Sequence, residues 1–523
     1  MSSNRKRHRH DPTPGSSLDQ DRRSSQNANH SLYQVSQHPA SSPDLDHRRI
    51  NQESPAGKQP VFASYIDTPN LPSKVKLLCE IIANTPSLEV DRVLDDTGIR
   101  VSTEDVEDVL KLSYAHPAAA VKFFRWSGYQ LNDRHSPYAW NLVIDMLGKH
   151  CYFDAMWDAI KSMKNEGLLS LATFASVFGS YVMADKVKGA LLAFEVMEQY
   201  GCSADIVALN SLFSAICRDG KTIDAKDYLN AVKNKIKPDV DTYAILLEGW
   251  EKEQDGVNAG RTFDDMVDEI GWDPNNVPAY DSFLSALLKG SGGLQEAMRF
   301  FEILKGKGCY PGIRFFKAAL SECALNGIIK AAIVLWDSMS VQQDCKPDTE
   351  LYNSMIYLYS QIEDADLAKR MLDEMIFNGV FPDSQSYNIL FKFLLESMKL
   401  KEAQPIFTEM VKNECVPTHA NCCLAIRMFV GGGDPYTAIR VWKCMLQNYD
   451  FDLEEAGNIL VGGLRDHNRV PEAVKYADDM LDRGISLSSA TMARLRQGLA
   501  KAGKGAVYDE LLKKWKLPEV SCS

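Results

Sequence analysis

This chain lacks several things that would point to chemistry. None of its twelve cysteines forms a C-x-x-C pair, so the usual thiolate corner of a zinc site or redox motif is missing. No Gly-rich loop ends in Lys-Ser or Lys-Thr. The run Gly431, Gly432, Gly433 has no such partner and is expected as a turn between two helices. Excess positive charge is missing too. The formal net charge is −12 over 523 residues, so any anion-binding face must be local. Long apolar runs are scarce. One stretch of 17 residues, 168–184, carries no charge, but it includes Ser170, Thr173, Ser176, Gly179 and Ser180. It is short for a bilayer span, and a buried helix accounts for it. No transmembrane segment is expected.

The chain does have a ruler. Pro238, Pro274, Pro311, Pro347, Pro382 and Pro417 follow one another at steps of 36, 37, 36, 35 and 35 residues. A fixed period of that size marks a stacked-repeat architecture. Such an array works as a long surface rather than a pocket. Each proline is read as the end of a second helix, with a small or polar residue after it. A second register supports the first. Ala190, Ala225, Ala332, Ala368, Ala403, Ala438 and Ala473 share one position of a 35-residue unit. Met163, Met197, Met266, Met339, Met375, Met410, Met445 and Met480 share another, and Phe194, Phe300, Trp336, Phe407 and Trp442 a third. The alanines allow two helix backbones to approach, and the aromatic and methionine lie on one face. The methionine stripe is therefore expected in the core. Cys202, Cys309, Cys345 and Cys415 also keep the repeat frame. Residues a whole repeat apart cannot share a disulfide or a zinc ion, so these are expected as small, partly buried side chains.

Residues 1–65 differ in composition. They are rich in Ser, Gln, Asn, His, Pro, Arg and Asp and cannot bury enough apolar surface to offset chain entropy, so disorder is expected there. Residues 4–10, NRKRHRH, form a basic run of the nuclear-import kind. Asp11, Asp19, Asp21, Asp44 and Asp46 interrupt what an organellar presequence would keep free of acids. Residues 66–100 are expected as a helical cap and 101–517 as the repeat array. The fold class is all-α, a right-handed superhelical solenoid of about ten or eleven helix-turn-helix repeats.

With the frame set, the units resemble pentatricopeptide repeats. Units 349–383, 384–418 and 206–239 carry the resemblance best, with Tyr352-Asn353, Tyr387-Asn388 and Leu209-Asn210 in the first helix and Pro382-Asp383 or Pro238-Asp239 at the exit. Residues 117–126, PAAAVKFFRW, are similar to the segment opening many plant organellar members. The related tetratricopeptide motif wants a Trp and a Leu-Gly that most units lack. The resemblance implies a P-class member that binds single-stranded RNA in organellar RNA processing, stability or translation. It implies the mitochondrion, while the basic run permits the nucleus; a monomer is expected, with further protein contacts through the C-terminal repeats. A protein–protein scaffold is the competing reading, supported by the acidic charge.

The resemblance assigns base reading to the fifth residue of a unit and its last. Asn210 with Asp239 and Asn353 with Asp383 match the family's uracil-type pair. Asn141 with Ser170 and Asn458 with Ser488 match the cytosine-type pair, and Asn388 goes with Thr418. Ala175, Ala244, Asp281, Lys317 and Cys423 depart from the pattern at the fifth position. At the second position, where an apolar residue would sandwich the base, Val207 fits, while Asp241, Arg314, Glu350, Gln385 and Glu455 do not. Near the end of the first helix, Lys149, Arg218, Lys252 and Lys289 form a row that could follow phosphates. The same place holds Leu325, Gln361, Glu396, Gly431 and Asp466 later on. No catalytic residue, metal or cofactor is expected. After the last unit only a short basic tail, residues 513–516, is seen, so neither a deaminase nor a nuclease domain is expected.

Overall fold

Why each repeat begins where it does is a matter of capping. At several junctions the residue closing one repeat accepts hydrogen bonds from the orphan N–H groups of the next helix. Asp239 accepts from the backbone N–H of Thr242 at 2.8 Å and Asp383 from that of Ser386 at 2.8 Å. Thr418 accepts from Asn421 and Ser488 from Thr491 in the same way. In the computed structural model, which describes residues 64–132, 134–340, 342 and 345–516, these caps open a series of short helices. The basic run at residues 4–10 lies outside the described residues, as does nearly all of the segment 1–65.

The chain divides into two units, residues 1–271 and 272–523. The first starts with helices Ser73–Asn84, Val90–Asp96, Thr103–Leu112 and Pro117–Gln130. Four helical pairs follow, whose first members are Pro137–Lys149, Leu171–Met183, Ile206–Arg218 and Val240–Glu253. The second unit holds seven pairs, from Val277–Lys289 with Gly293–Gly306 to Ser489–Lys501 with Gly505–Trp515. Within each unit a first helix packs on its own second helix and on the first helix of the next pair. No strand occurs among the described residues. No described helix is long and apolar enough to cross a membrane. The uncharged stretch lies mostly in the repeat helix Leu171–Met183.

The repeat registers become the core. All seven register alanines and all eight register methionines are fully buried. Phe194, Trp336, Phe407 and Trp442 are buried beside them, while Phe300 is half-buried. Cys202, Cys309 and Cys345 are buried and Cys415 is partly so.

The prolines do not end the second helices. Helix Ala365–Phe377 stops well ahead of Pro382, at Gly379, whose φ of 76° lets its own N–H reach Ile376 and that of Val380 reach Met375. That is a Schellman closure. The proline instead sets the extended approach to the next cap. The corner inside each repeat is also left-handed. Cys151, Asp185, Gln254, Glu363, Met398 and Asn468 all adopt φ between 57° and 61° there. Each keeps this conformation without glycine's freedom, because the helices on both sides fix the corner.

Candidate nucleic-acid interface

Because first helices stack, the fifth residue of one unit lies against the cap of the next. Asn210 Nδ2 donates to Asp239 Oδ1 at 3.0 Å, and Asn210 Oδ1 accepts from the Thr242 hydroxyl at 2.7 Å. Asn353 Nδ2 donates to Asp383 Oδ1 at 3.3 Å. In both pairs the first carboxylate oxygen also takes the capping bonds. The second oxygen, Oδ2, takes none of these bonds, though the Gln385 N–H also lies against the Asp383 carboxylate. Neither carboxylate is paired with a cation among the described residues. Asn353 is almost fully buried, and its Oδ1 has no hydrogen-bond partner.

The other three pairs are spent differently. Asn388 Oδ1 accepts from the backbone N–H of Thr418 at 2.8 Å and from Asn421 Nδ2 at 2.7 Å. Its own amide donates to the carbonyls of Ser384 and Val416. Asn458 repeats this, accepting from the Ser488 N–H at 2.8 Å and donating to Glu454 and Ser486. Both amides therefore hold the loop into the next helix. Asn141 is buried and accepts from the Thr173 hydroxyl at 2.7 Å, with no bond to the Ser170 side chain.

Sequence reading missed the third residue of each unit, which completes these clasps. Thr173, Thr242, Ser386, Asn421 and Thr491 occupy it. Their spacing of three from the cap is a signal that could have been found.

An open groove of about 490 Å³ lies at one pair, lined by Asp348, Thr349, Glu350, Asn353, Asp383 and Gln385. Burial raises the Asp383 pKa, but hydrogen bonds from the Ser386 N–H, its hydroxyl and Asn353 outweigh that and hold it below the usual carboxylate range. Asp348 is also lowered; burial opposes this, and bonding to Lys317 and the Leu351 N–H overcomes it. Asp241, in the second position of its unit, is raised by burial and by the charge of Asp239. Val207 is well exposed, so an apolar face is open beside Asn210.

The basic row is uneven. Lys149 pairs with Asp145 at 2.6 Å and lies over the Tyr114 ring. Lys252 donates to the carbonyl of Arg218. Arg218 is exposed and reaches Ser214 at 3.2 Å. Lys289 is exposed on the last turn of Val277–Lys289.

The family model "Pentatricopeptide repeat-containing protein" matches residues 140–266, and the "PPR repeat family" model matches residues 347–396. Both segments thus match pentatricopeptide repeat models. A mitochondrial pentatricopeptide repeat-containing protein of Arabidopsis thaliana is 37% identical over 175 residues, 34% of this chain and 34% of the relative. The chain thus spans about a third of that relative's length. A second mitochondrial Arabidopsis member is 24% identical over 76% of this chain and 69% of its own length. Among solved structures, the maize pentatricopeptide repeat protein PPR10 with an 18-nt psaJ RNA element is similar at a TM-score of 0.34 and 16% identity, covering 85% of this chain and 73% of that one.

Proposed function

We propose that this pentatricopeptide repeat protein binds single-stranded RNA along its inter-repeat clasps, as a P-class member in the mitochondrion. It acts in RNA processing, stability or translation by occupying RNA, not by cutting it. The observation that carries this is the pair geometry of Asn210 with Asp239 and Asn353 with Asp383. In each, the amide and the next helix's cap fix the position of a carboxylate that is at least partly exposed. Such groups can meet the Watson–Crick edge of one base per repeat. Of the five candidate pairs, these two are the readers. Asn388 and Asn458 serve mainly to seat the following helix. Exposed Arg218 and Lys252 supply phosphate contacts.

The acidic lining at Asp348, Glu350 and Asp383 favours a second reading, a scaffold for a basic protein segment. A gel shift with short single-stranded RNAs at two salt concentrations separates the two. Binding at low salt that weakens at high salt supports the RNA reading. An absence of binding to any RNA pool at low salt rejects it.

A further inference from the structure

Two successive slots in the second unit are filled by the protein itself. In the first, the fifth residue is Asp281, whose side chain is 10% exposed. Arg314, from the second position of the next repeat, turns onto it, and its Nε donates to Asp281 Oδ2 at 2.9 Å. The same guanidinium reaches Ser282 Oγ at 2.9 Å, and the Phe315 N–H takes Asp281 Oδ1 at 2.8 Å. Gly312 closes this unit, and a β-carbon there would already touch Asp281. Both carboxylate oxygens are therefore engaged.

In the second slot the fifth residue is Lys317. Its ammonium pairs with Asp348 Oδ2 and lies 3.8 Å from Glu350. Asp348 Oδ1 is held by the Leu351 N–H at 3.2 Å. The contrast with the neighbouring slot is direct. There Asn353 donates to Asp383 Oδ1, and no cation among the described residues pairs with Asp383. A neutral base edge would have to displace an ion pair and offers no charge in return.

We infer that the repeats 277–312 and 313–348 carry closed slots, so that two successive nucleotides beside the one facing Asn353 and Asp383 pass without base selection. Arg314, Lys317 and Glu350 are the specificity-determining residues, because they shut the slots. This rests on the RNA-binding reading and deepens it. The closure also explains why the second position holds charge here. Arg314 and Glu350 serve the ion pairs and are not stacking platforms.

The test is selection of bound RNA from a randomised single-stranded pool with the full chain, followed by sequencing. The expected result is a preference at the nucleotide facing Asn353 and Asp383, next to two positions with no base preference. Preference at either of those two positions overturns the inference alone. Recovery of no RNA overturns the RNA-binding reading and takes this inference with it. A gain-of-function variant, Lys317→Asn, places an amide opposite Asp348, as Asn353 stands opposite Asp383. The adjacent nucleotide should then acquire the base preference of its neighbour by roughly tenfold, the size of one charge-assisted hydrogen bond. An unchanged profile in the folded variant overturns the inference. Arg314→Ala is the second variant and should open a preference at the other position. Thermal melting checks folding of both, and Lys317 is exposed enough that its loss leaves the Asp348 cap in place.

Discussion

At the scale of single residues, the clasp asparagines do two jobs, and their partners tell them apart. An amide that donates to a carboxylate keeps an acceptor beside it available, as at Asn210 and Asn353. An amide that donates twice to backbone carbonyls does not, as at Asn388 and Asn458. The double change Asn210→Ala with Asn353→Ala should therefore reduce discrimination between bases by roughly tenfold per site, with a smaller loss of total affinity. Competition binding with matched and mismatched RNAs would measure this, and a uniform loss for every RNA would count against base reading. Titration gives a second expectation. Asp348 and Asp383 have folded pKa values below their ordinary range. Their contribution to stability is present above about pH 4 and is lost as pH falls through the lowered values. Asp383→Asn keeps the cap but removes the charge, so its melting temperature should depend less on pH below about 4 than that of the parent.

At the scale of elements, helix corners and close approaches decide local stability. Met398 is more than half exposed at a φ of 57°, so the left-handed cost falls on a side chain with little packing to lose. Met398→Gly should stabilise the protein by about 0.5–1 kcal/mol in a denaturant melt. Gly249 is the opposite case. A β-carbon there would overlap the Thr222 hydroxyl and crowd Cys217 of the preceding repeat. Gly249→Val should cost roughly 1–3 kcal/mol. These elements were unevenly legible. The caps were open to residue type, since Asp239 and Asp383 precede helical patterns, but these residues were read only as base-reading candidates. The corners at Cys151 and Met398 did not, because neither residue type favours positive φ. The proline ladder was read as ending second helices. A helix end is set by its last carbonyls, and Gly379 satisfies those before Pro382 is reached.

At the scale of the whole molecule, a net charge of −12 opposes a polyanion, so the proposed RNA binding has to draw on a few local cations and on base contacts. Arg218→Ala with Lys252→Ala should lower the slope of log affinity against log salt by about 1.4, two phosphate contacts at the single-strand value. A slope equal to the parent's would remove those residues from the interface. On the mitochondrial reading, a fluorescent reporter carrying residues 1–65 should enter mitochondria. Nuclear accumulation would instead assign the basic run at 4–10 to import.

The sequence by itself determined the repeat period, the register of alanine and methionine, and hence a stack of helical pairs. Those features depend on spacing along one chain, and burial follows from period. Only the tertiary structure decided which fifth-position residues stay open. Asp281 meets Arg314 across 33 residues and Asn388 meets Thr418 across 30. The number of lone pairs and protons left over depends on those partners. Residue identity names what a side chain can offer, and the neighbouring repeat sets how much of it remains.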